Sequence, residues 1–262
     1  MKILKTLNSF FKLFGIDIVR FFQTLRMLPS FFIVLCKFYL ETKKELITNF
    51  PITKLYPCLN DSQNIEIGGH YFHQDLLVSQ QIFANNPKKH VDIGSRIDGF
   101  VTHVASFREI EVFDIRKVQG EIKNVKFTKL DLMCELNPAL VDYCDSVSCL
   151  HVIEHFGLGR YGDEIDVNGH ILGLENIYKI LKKCGKFYFS VPIGEQRIEF
   201  NAHRVFSLKY LLEFINNKFR LDHFSYVDDL GVLHKDIELS GKCLEDSFGL
   251  RYGCGIFELT KL

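Results

Sequence analysis

From residue 87 onward, short apolar runs alternate with segments whose apolar residues recur at helical spacing. The clearest run is KFYFSV at Lys186–Val191, which is aromatic and β-branched and follows the helix-ending pair Cys184-Gly185. The pattern predicts helices at residues 99–107, 135–142, 172–181 and 207–216. It predicts seven strands, at His90–Ile93, Ile110–Asp114, Lys126–Leu130, Ser146–Leu150, Lys186–Val191, Leu221–Val227 and Tyr252–Thr260. This alternation indicates an α/β fold with a doubly wound, mostly parallel seven-stranded sheet.

The first forty residues follow a different pattern. Leu, Ile and Phe recur every three or four residues, which predicts one or two amphipathic helices broken near Pro29. The longest apolar run, Phe31–Cys36, is far shorter than the ~20 residues of a membrane-spanning helix. Six of these forty residues are basic, whereas only Asp17 is acidic. The basic residues are Lys2, Lys5, Lys12, Arg20, Arg26 and Lys37.

We therefore expect an N-terminal helical arm and linker over residues 1–64 and one α/β domain over residues 65–262. The basic face suits an anionic membrane surface. A helical arm that packs on the domain or across a homodimer would show the same pattern. We expect the protein in the cytoplasm. If the arm binds membrane, we expect it at the inner membrane surface as a peripheral protein.

Composition narrows the classes of partner. The chain has 262 residues, a formal net charge of zero and a pI of about 7.1, so no global basic field points to nucleic acid. Its eight cysteines are scattered and form no C-x-x-C pair, which is typical of reduced thiols in a cytosolic protein. We expect a small-molecule partner and no metal.

Polar clusters follow five of the predicted strands. In parallel α/β sheets, ligands bind beyond the carboxyl ends of the strands. The clusters are Asp92-Ile93-Gly94-Ser95-Arg96, Asp114-Ile115-Arg116, Asp131, the segment from Leu150 to His155, and Pro192-Ile193-Gly194 leading to Asn201-Ala202-His203-Arg204.

The order of these motifs is similar to that of class I S-adenosylmethionine-dependent methyltransferases. The chain most resembles a methyltransferase-like domain family of unknown function, DUF268. The resemblance covers roughly residues 65–262 and implies a Rossmann-like methyltransferase fold with S-adenosylmethionine as cofactor. The motifs that carry it are YFHQDLLVSQ (71–80), HVDIGSRIDGF (90–100), LHVIEHFGLGRYGD (150–163), VPIG (191–194) and FNAHRVFS (200–207).

The resemblance assigns the first glycine loop to the methionine part of the cofactor. Gly94 would let the backbone approach closely, and Asp92 would organise the loop or meet the ammonium. Arg96 and Asp98 stand where further glycines are usual, so a pyrophosphate would fit poorly, which counts against NAD. Arg96 would instead pair with the methionine carboxylate. The alternative is an ordinary turn with Arg96 in solvent.

Other residues complete the predicted cofactor site. Asp114 would accept hydrogen bonds from both ribose hydroxyls, and Asp131 would meet the adenine amino group, with Leu130 and Leu132 beside the ring. His73 and its neighbours Tyr71, Gln74 and Asp75 are expected to cover the cofactor. Alternatively, Asp75 caps a helix. The predicted set is Asp92, Gly94, Ser95, Arg96, Asp114, Ile115, Asp131, Leu132 and His73.

The segment after the fourth strand carries the candidate catalytic groups. His155 or His151 would take a proton from an acceptor hydroxyl, oriented by Glu154 or Asp163; a structural role for Glu154 and His155 is the alternative. A metal site in HVIEH is disfavoured because the motif begins at a strand end. The wall facing a polar acceptor would comprise Arg160, Tyr161, Asn201, His203 and Arg204, unless Arg204 caps the neighbouring helix.

Three functions remain at this stage. The first is an S-adenosylmethionine-dependent O-methyltransferase acting on a sugar hydroxyl in bacterial surface-glycan synthesis. The second is a non-catalytic, methyltransferase-like binding or scaffold protein, suggested by the departure from the glycine pattern. The third, an NAD or nucleotide-sugar enzyme, is weakened because G-x-G-x-x-G is missing.

Overall fold

The structure is a computed structural model that describes residues 7–8, 10–44, 52, 54–55, 57–59 and 67–262. The chain divides into two units, Met1–Glu66 and Ile67–Leu262. The predicted boundary between residues 64 and 65, and the basic residues Lys2 and Lys5, lie outside the described residues.

The first unit contains one long helix, α1, at Ile18–Lys44. Asn8 and Asp17 cap its start, because Asn8 Oδ1 accepts the backbone N–H of Ile18 at 2.8 Å and Asp17 Oδ1 accepts that of Arg20 at 3.0 Å. The predicted break at Pro29 is wrong. A proline inside a long helix removes one hydrogen bond and can bend the helix without ending it.

The composition of α1 also corrects an expectation. Its residues Ile18–Glu41 have a mean hydropathy of 1.5. By length and composition alone, this segment is long and apolar enough to cross a membrane. The apolar runs of α1 are short because Arg20, Arg26 and Lys37 interrupt them, but the mean hydropathy of the helix stays high because most of its other residues are apolar.

The second unit contains the strands β1 His90–Ile93, β2 Ile110–Asp114, β3 Val125–Lys129, β4 Cys144–Leu150, β5 Leu181–Ile193, β6 Arg197–Glu199, β7 His203–Val205, β8 Phe219–Val227, β9 Leu233–His234 and β10 Gly253–Lys261. Eight of them form one sheet in the order β3-β2-β1-β4-β5-β10-β8-β9. Strands β1 to β5 run parallel, and β10 is antiparallel to both its neighbours. All seven predicted strands are present, and the short β9 adds the eighth; β6 and β7 form a separate hairpin.

The helices of this unit agree less closely with the sequence pattern. They are α2 His70–Asn85, α3 Thr102–Ala105, α4 Gly169–Ile180, α5 Leu208–Ile215 and α6 Lys242–Asp246. The helix predicted at 99–107 begins as a π-helical turn, Ile97–Val101. The one predicted at 135–142 is a single 3₁₀ turn, Pro138–Leu140, because Val141 is extended and Asp142 has a φ of 49°.

The core lies on both faces of the sheet, as a doubly wound fold requires. Along β5, Phe187 and Phe189 belong to one apolar cluster with residues of α4 and α5, whereas Tyr188 belongs to a second cluster with residues of α2. Successive strand side chains point to opposite faces. The predicted α/β architecture is confirmed.

Candidate active site

A pocket of about 480 Å³ lies beyond the carboxyl ends of β1, β2, β3 and β4. The four strand-end clusters meet there because parallel strands end at the same edge of the sheet. Its predicted members are Gly94, Ser95, Arg96, Asp114, Ile115, Asp131, Leu132, His151, His155, Tyr161 and Asp163.

Asp92 organises the loop that follows β1. Its fully buried carboxylate accepts the backbone N–H of Ser95 at 2.9 Å, the Ser95 hydroxyl at 2.7 Å and the Ser148 hydroxyl at 2.6 Å. Burial raises the pKa of Asp92 to about 6. Asp92 does not line the pocket, so its position fits the loop-organising part of its predicted role.

Gly94 forms the turn of this loop. Its φ is 60°, a conformation that side chains rarely adopt, and a Cβ there would lie 3.0 Å from Val152 Cγ1. Glycine thus keeps the backbone open at the pocket wall.

Arg96 lines the pocket but already has a counterion. Its Nε and Nη2 donate to Asp98 Oδ1 at 3.1 Å and Oδ2 at 2.9 Å, and the guanidinium lies 4.8 Å from the Tyr71 ring centroid. The pair is exposed. The contact of Arg96 with a cofactor carboxylate stays a prediction. In such a contact the guanidinium would bind the cofactor carboxylate and Asp98 at the same time.

The end of β2 carries a second ion pair. Arg116 donates from Nε to Asp114 Oδ1 at 2.9 Å and from Nη2 to Oδ2 at 2.6 Å. The Asp114 side chain is only 9% exposed but borders the pocket. At the end of β3, Asp131 Oδ1 accepts the backbone N–H of Met133 at 2.8 Å, and Leu130 and Leu132 supply an apolar wall.

His151 is held by a carboxylate. Its Nδ1 lies 2.8 Å from Glu154 Oε1, both side chains are buried, and Nε2 has no hydrogen-bond partner. The ring stacks on that of His70 with centroids 5.3 Å apart. Although burial alone would lower it, Cys254 and Glu154 raise the pKa of His151 well above its usual value.

His155 has a different environment. Its Nδ1 lies 2.6 Å from the Ala202 carbonyl oxygen, which fixes the proton on Nδ1 and leaves Nε2 as an acceptor. Burial lowers the pKa of His155. His155 also lines the pocket, and its Nε2 lies 3.8 Å from Oε1 of Glu154, the carboxylate that was predicted to orient it. At that distance Nε2 is not hydrogen-bonded, so it is suited to accept a proton from a bound group.

Solved methyltransferases that are similar to the chain include the following two. One, the 1,6-didemethyltoxoflavin-N1-methyltransferase of Burkholderia thailandensis with S-adenosylhomocysteine, is 15% identical, with a TM-score of 0.51 over 72% of this chain and 78% of that one. The other, an O-methyltransferase of a polyketide synthase multienzyme of Brevibacillus brevis with S-adenosylhomocysteine, is 17% identical, with a TM-score of 0.51 over 72% and 71%.

This chain has the class I methyltransferase fold. In addition, residues 101–230 match the model of DUF268, described as a Caenorhabditis protein of unknown function, which confirms the predicted resemblance over that stretch. The [4+2]-cyclase SpnF is also similar, at 12% identity and a TM-score of 0.51 over 72% of this chain and 80% of that one. No curated protein matches the sequence.

The methyltransferase-fold pocket does not include His73. Tyr71 lines it instead, and His73 lies two residues further along α2. Since each helical residue turns by about 100°, two residues place side chains on nearly opposite faces. The alternative role for Asp75 is also wrong: α2 begins at His70, and Asp75 is buried within it.

Asp163 shapes the loop of the GLGRYGD motif. Its carboxylate accepts backbone N–H groups of Gly157 at 2.9 Å, Gly159 at 3.1 Å and Tyr161 at 3.0 Å. Although burial opposes it, these bonds lower the pKa of Asp163. Asp163 therefore holds the backbone of Tyr161, whose ring centroid lies 5.5 Å from that of His155. It was predicted to orient His155 or His151, but its carboxylate hydrogen-bonds to backbone N–H groups of its own loop instead.

The predicted acceptor wall is only partly at the pocket. Tyr161 lines it, whereas Arg160, Asn201, His203 and Arg204 do not. Arg160 donates to the Ala202 carbonyl at 2.9 Å, and Asn201 is exposed in the β6–β7 hairpin. The His203 ring lies 6.4 Å from that of His155.

The acceptor contact predicted for Arg204 is not supported. The residue is 4% exposed, and its guanidinium donates to the carbonyl oxygens of Phe156 at 2.6 Å and Val167 at 3.2 Å. It therefore ties β7 to the loop after β4 and does not face a ligand. The alternative, a helix-capping role, agrees better with the structure: Nη1 donates to the carbonyl oxygens of Glu154 at 3.4 Å and of Phe156, the residue that ends the 3₁₀ turn Ile153–His155.

Sequence reasoning missed several lining residues. Arg116, Met133, Val152 and Phe156 border the pocket without having been assigned a role in it. Each directly follows or neighbours a predicted site residue. The strand-end position alone could have indicated them, since the whole turn after each strand faces the ligand edge.

Proposed function

We propose that the chain is an S-adenosylmethionine-dependent methyltransferase that acts on a hydroxyl of a small polar acceptor, a sugar or sugar nucleotide. The observation that supports it most is that Gly94, Asp114 and His155 border one pocket of about 480 Å³. A glycine turn, a strand-end acid and a histidine with a free ring nitrogen together suit cofactor binding and proton removal.

In this proposal the cofactor follows the strand ends. The methionine part lies by Gly94 and Arg96, the ribose hydroxyls bond to Asp114, and the adenine lies against Leu130 and Leu132. The pocket has the apolar walls and few polar groups that are usual for such ligands. Similar folds in the Burkholderia and Brevibacillus methyltransferases were solved with S-adenosylhomocysteine.

The acceptor assignment is based on His155. A hydroxyl must lose its proton as it attacks the methyl group, and His155 Nε2 is available because Nδ1 binds the Ala202 carbonyl. Tyr161, which lines the pocket beside His155, adds a hydroxyl that suits a sugar. We place this activity in cytoplasmic surface-glycan synthesis in a bacterium.

The test has two stages. Isothermal titration of the purified full chain with S-adenosylmethionine and S-adenosylhomocysteine should give saturable binding at one site. The protein is then incubated with methyl-labelled cofactor and a panel of sugar nucleotides, and mass spectrometry should find a methyl ether. Absence of binding by both cofactor forms would overturn the proposal, and a labelled amine would overturn the hydroxyl assignment.

A second candidate is a non-catalytic binding protein. Asp98 neutralises Arg96 and Arg116 neutralises Asp114, so both groups predicted to hold the cofactor already have a charged partner. The similarity of the fold to the cyclase SpnF also warns that this fold serves more than one reaction. Binding of a sugar nucleotide without binding of either cofactor form would favour this candidate.

The arm of the first unit is proposed to bind membranes. Helix α1 exposes large apolar side chains, among them Phe21, Phe22, Phe32 and Phe38, and carries Arg20 and Arg26. Co-sedimentation with vesicles containing anionic phosphatidylserine should capture the full chain. Extraction by alkaline carbonate would indicate a peripheral helix, resistance would indicate an inserted one, and equal recovery without vesicles would contradict the proposal.

A further inference from the structure

Three potential metal ligands from distant parts of the sequence converge beside the pocket. His70 starts α2, His151 follows β4, and Cys254 lies on β10. One ligand atom from each lies within 4.8 Å of the other two. No sequence spacing reveals this cluster, because the three residues are about 80 to 100 positions apart.

His151 already has the arrangement of a metal ligand. Its Nδ1 is fixed by Glu154 at 2.8 Å, and its Nε2 is buried without a partner. Histidines that bind metals commonly donate their other ring N–H to a carboxylate, which sets the tautomer and turns the free nitrogen to the ion. An unpaired buried nitrogen is otherwise costly, and a cation would satisfy it.

The charges of the neighbouring groups also suit a divalent cation. Cys254 is fully buried and would bind as a thiolate, and Glu154 is 1% exposed with Oε2 unpaired. One thiolate and one carboxylate balance a double positive charge in a buried place.

We propose that His70, His151 and Cys254 form a site for a zinc-like divalent cation. Two imidazoles and a thiolate are the donor types that zinc prefers, and three protein ligands leave a fourth position for water or a ligand. Tetrahedral bonds of about 2.0 Å to nitrogen and 2.3 Å to sulfur need ligand atoms about 3.3–3.6 Å apart, so the three side chains, whose ligand atoms lie within 4.8 Å of one another, would draw closer around an ion. His151 also lines the pocket, so the site adjoins it.

Cobalt(II) is the probe for this site, because a thiolate ligand gives it a near-ultraviolet charge-transfer band. The full chain is dialysed against a chelator and titrated with cobalt chloride. The expected result is a band that saturates at one equivalent and disappears when zinc is added. Absence of saturable binding, or saturation without the charge-transfer band, would overturn the site.

Variants identify the ligands. Cys254→Ser should abolish the band, whereas Cys144→Ser, which alters another buried strand cysteine, should keep it. Glu154→Gln should keep the band and weaken cobalt binding by about 10–100-fold. If Cys254→Ser fails to fold by circular dichroism, His151→Gln is used, and retention of wild-type affinity there contradicts the proposal. Binding of S-adenosylhomocysteine is measured separately, so failure of the metal site leaves the proposed methyltransferase testable.

Discussion

Arg116 holds the Asp114 carboxylate in a bidentate ion pair at the edge of the pocket, with Nη2–Oδ2 at 2.6 Å and Nε–Oδ1 at 2.9 Å. The pair fixes the acid at the end of β2, where a ribose would lie. Oδ1 also accepts the backbone N–H of Arg116 at 2.8 Å, so its two lone pairs are both used. Oδ2 accepts Nη2 alone and keeps a lone pair, with which Asp114 can accept a ribose hydroxyl while it stays paired with Arg116.

Replacing Asp114 by alanine should therefore weaken binding of S-adenosylhomocysteine. Loss of a hydrogen bond to a charged group costs about 1.5–3 kcal/mol, which corresponds to about 10–150-fold in Kd. Isothermal titration measures the change. The control is Glu121→Gln, which alters an exposed acid outside the pocket and should leave Kd as in the wild type. A wild-type Kd for Asp114→Ala would remove this residue from the cofactor site.

Substitutions of Arg96 and of Asp98 should change the affinity for S-adenosylhomocysteine in opposite directions. If Arg96 binds the methionine carboxylate, Arg96→Ala should weaken S-adenosylhomocysteine binding by about 10–150-fold. Asp98→Ala frees the guanidinium from an exposed ion pair worth about 0–1 kcal/mol, so binding should tighten by up to about 5-fold. Calorimetry on both variants is the measurement. Unchanged affinity in both would identify Arg96 as a surface residue beside a turn.

The sequence was most informative where backbone order alone determines position. Strand-end residues such as Gly94, Asp114 and His155 meet in one pocket because parallel strands share an edge. It was less informative where side-chain direction decides: His73 was misplaced by helical phase, and Arg204 was assigned to a ligand although it binds carbonyl oxygens. The convergence of His70, His151 and Cys254 depends on tertiary structure alone.

His90 should make the stability of the fold depend on pH. It is fully buried on β1, with Nδ1 2.8 Å from the Ser146 hydroxyl and Nε2 3.1 Å from that of Ser148. Burial lowers the pKa of His90 to about 3. Because this pKa is lower in the folded than in the unfolded chain, neutral His90 stabilises the fold at pH values above the unfolded pKa of about 6.5. That contribution to the free energy of unfolding is lost as the pH falls from about 6.5 toward 3.

Between pH 7 and pH 5, His90 should contribute a loss of about 2 kcal/mol in the free energy of unfolding. Urea denaturation of the wild type and of His90→Gln at both values measures it, and the variant should lose about that much less. His223→Gln removes an exposed histidine and should follow the wild type. An equal loss in the wild type and His90→Gln would show that His90 does not remain neutral in the fold.

His155 is the residue proposed to take the proton from the acceptor hydroxyl. His155→Gln should lower kcat for the acceptor found by mass spectrometry by about 10²–10⁴-fold, the usual contribution of a general base. The Kd of S-adenosylmethionine should stay the same, since the assigned cofactor contacts lie on other residues. Because burial lowers the pKa of His155, wild-type kcat/KM should fall only as the pH drops through a value below 6.5.

His203→Gln is the matched control for His155, since its ring lies 6.4 Å away and it does not line the pocket. It should retain most of the wild-type kcat and the same acid limb of the pH profile. In His155→Gln that limb should disappear, because the group that titrates is gone. A variant with low kcat but an unchanged acid limb would mean that His155 only supports the pocket wall, and the base would then have to be sought elsewhere.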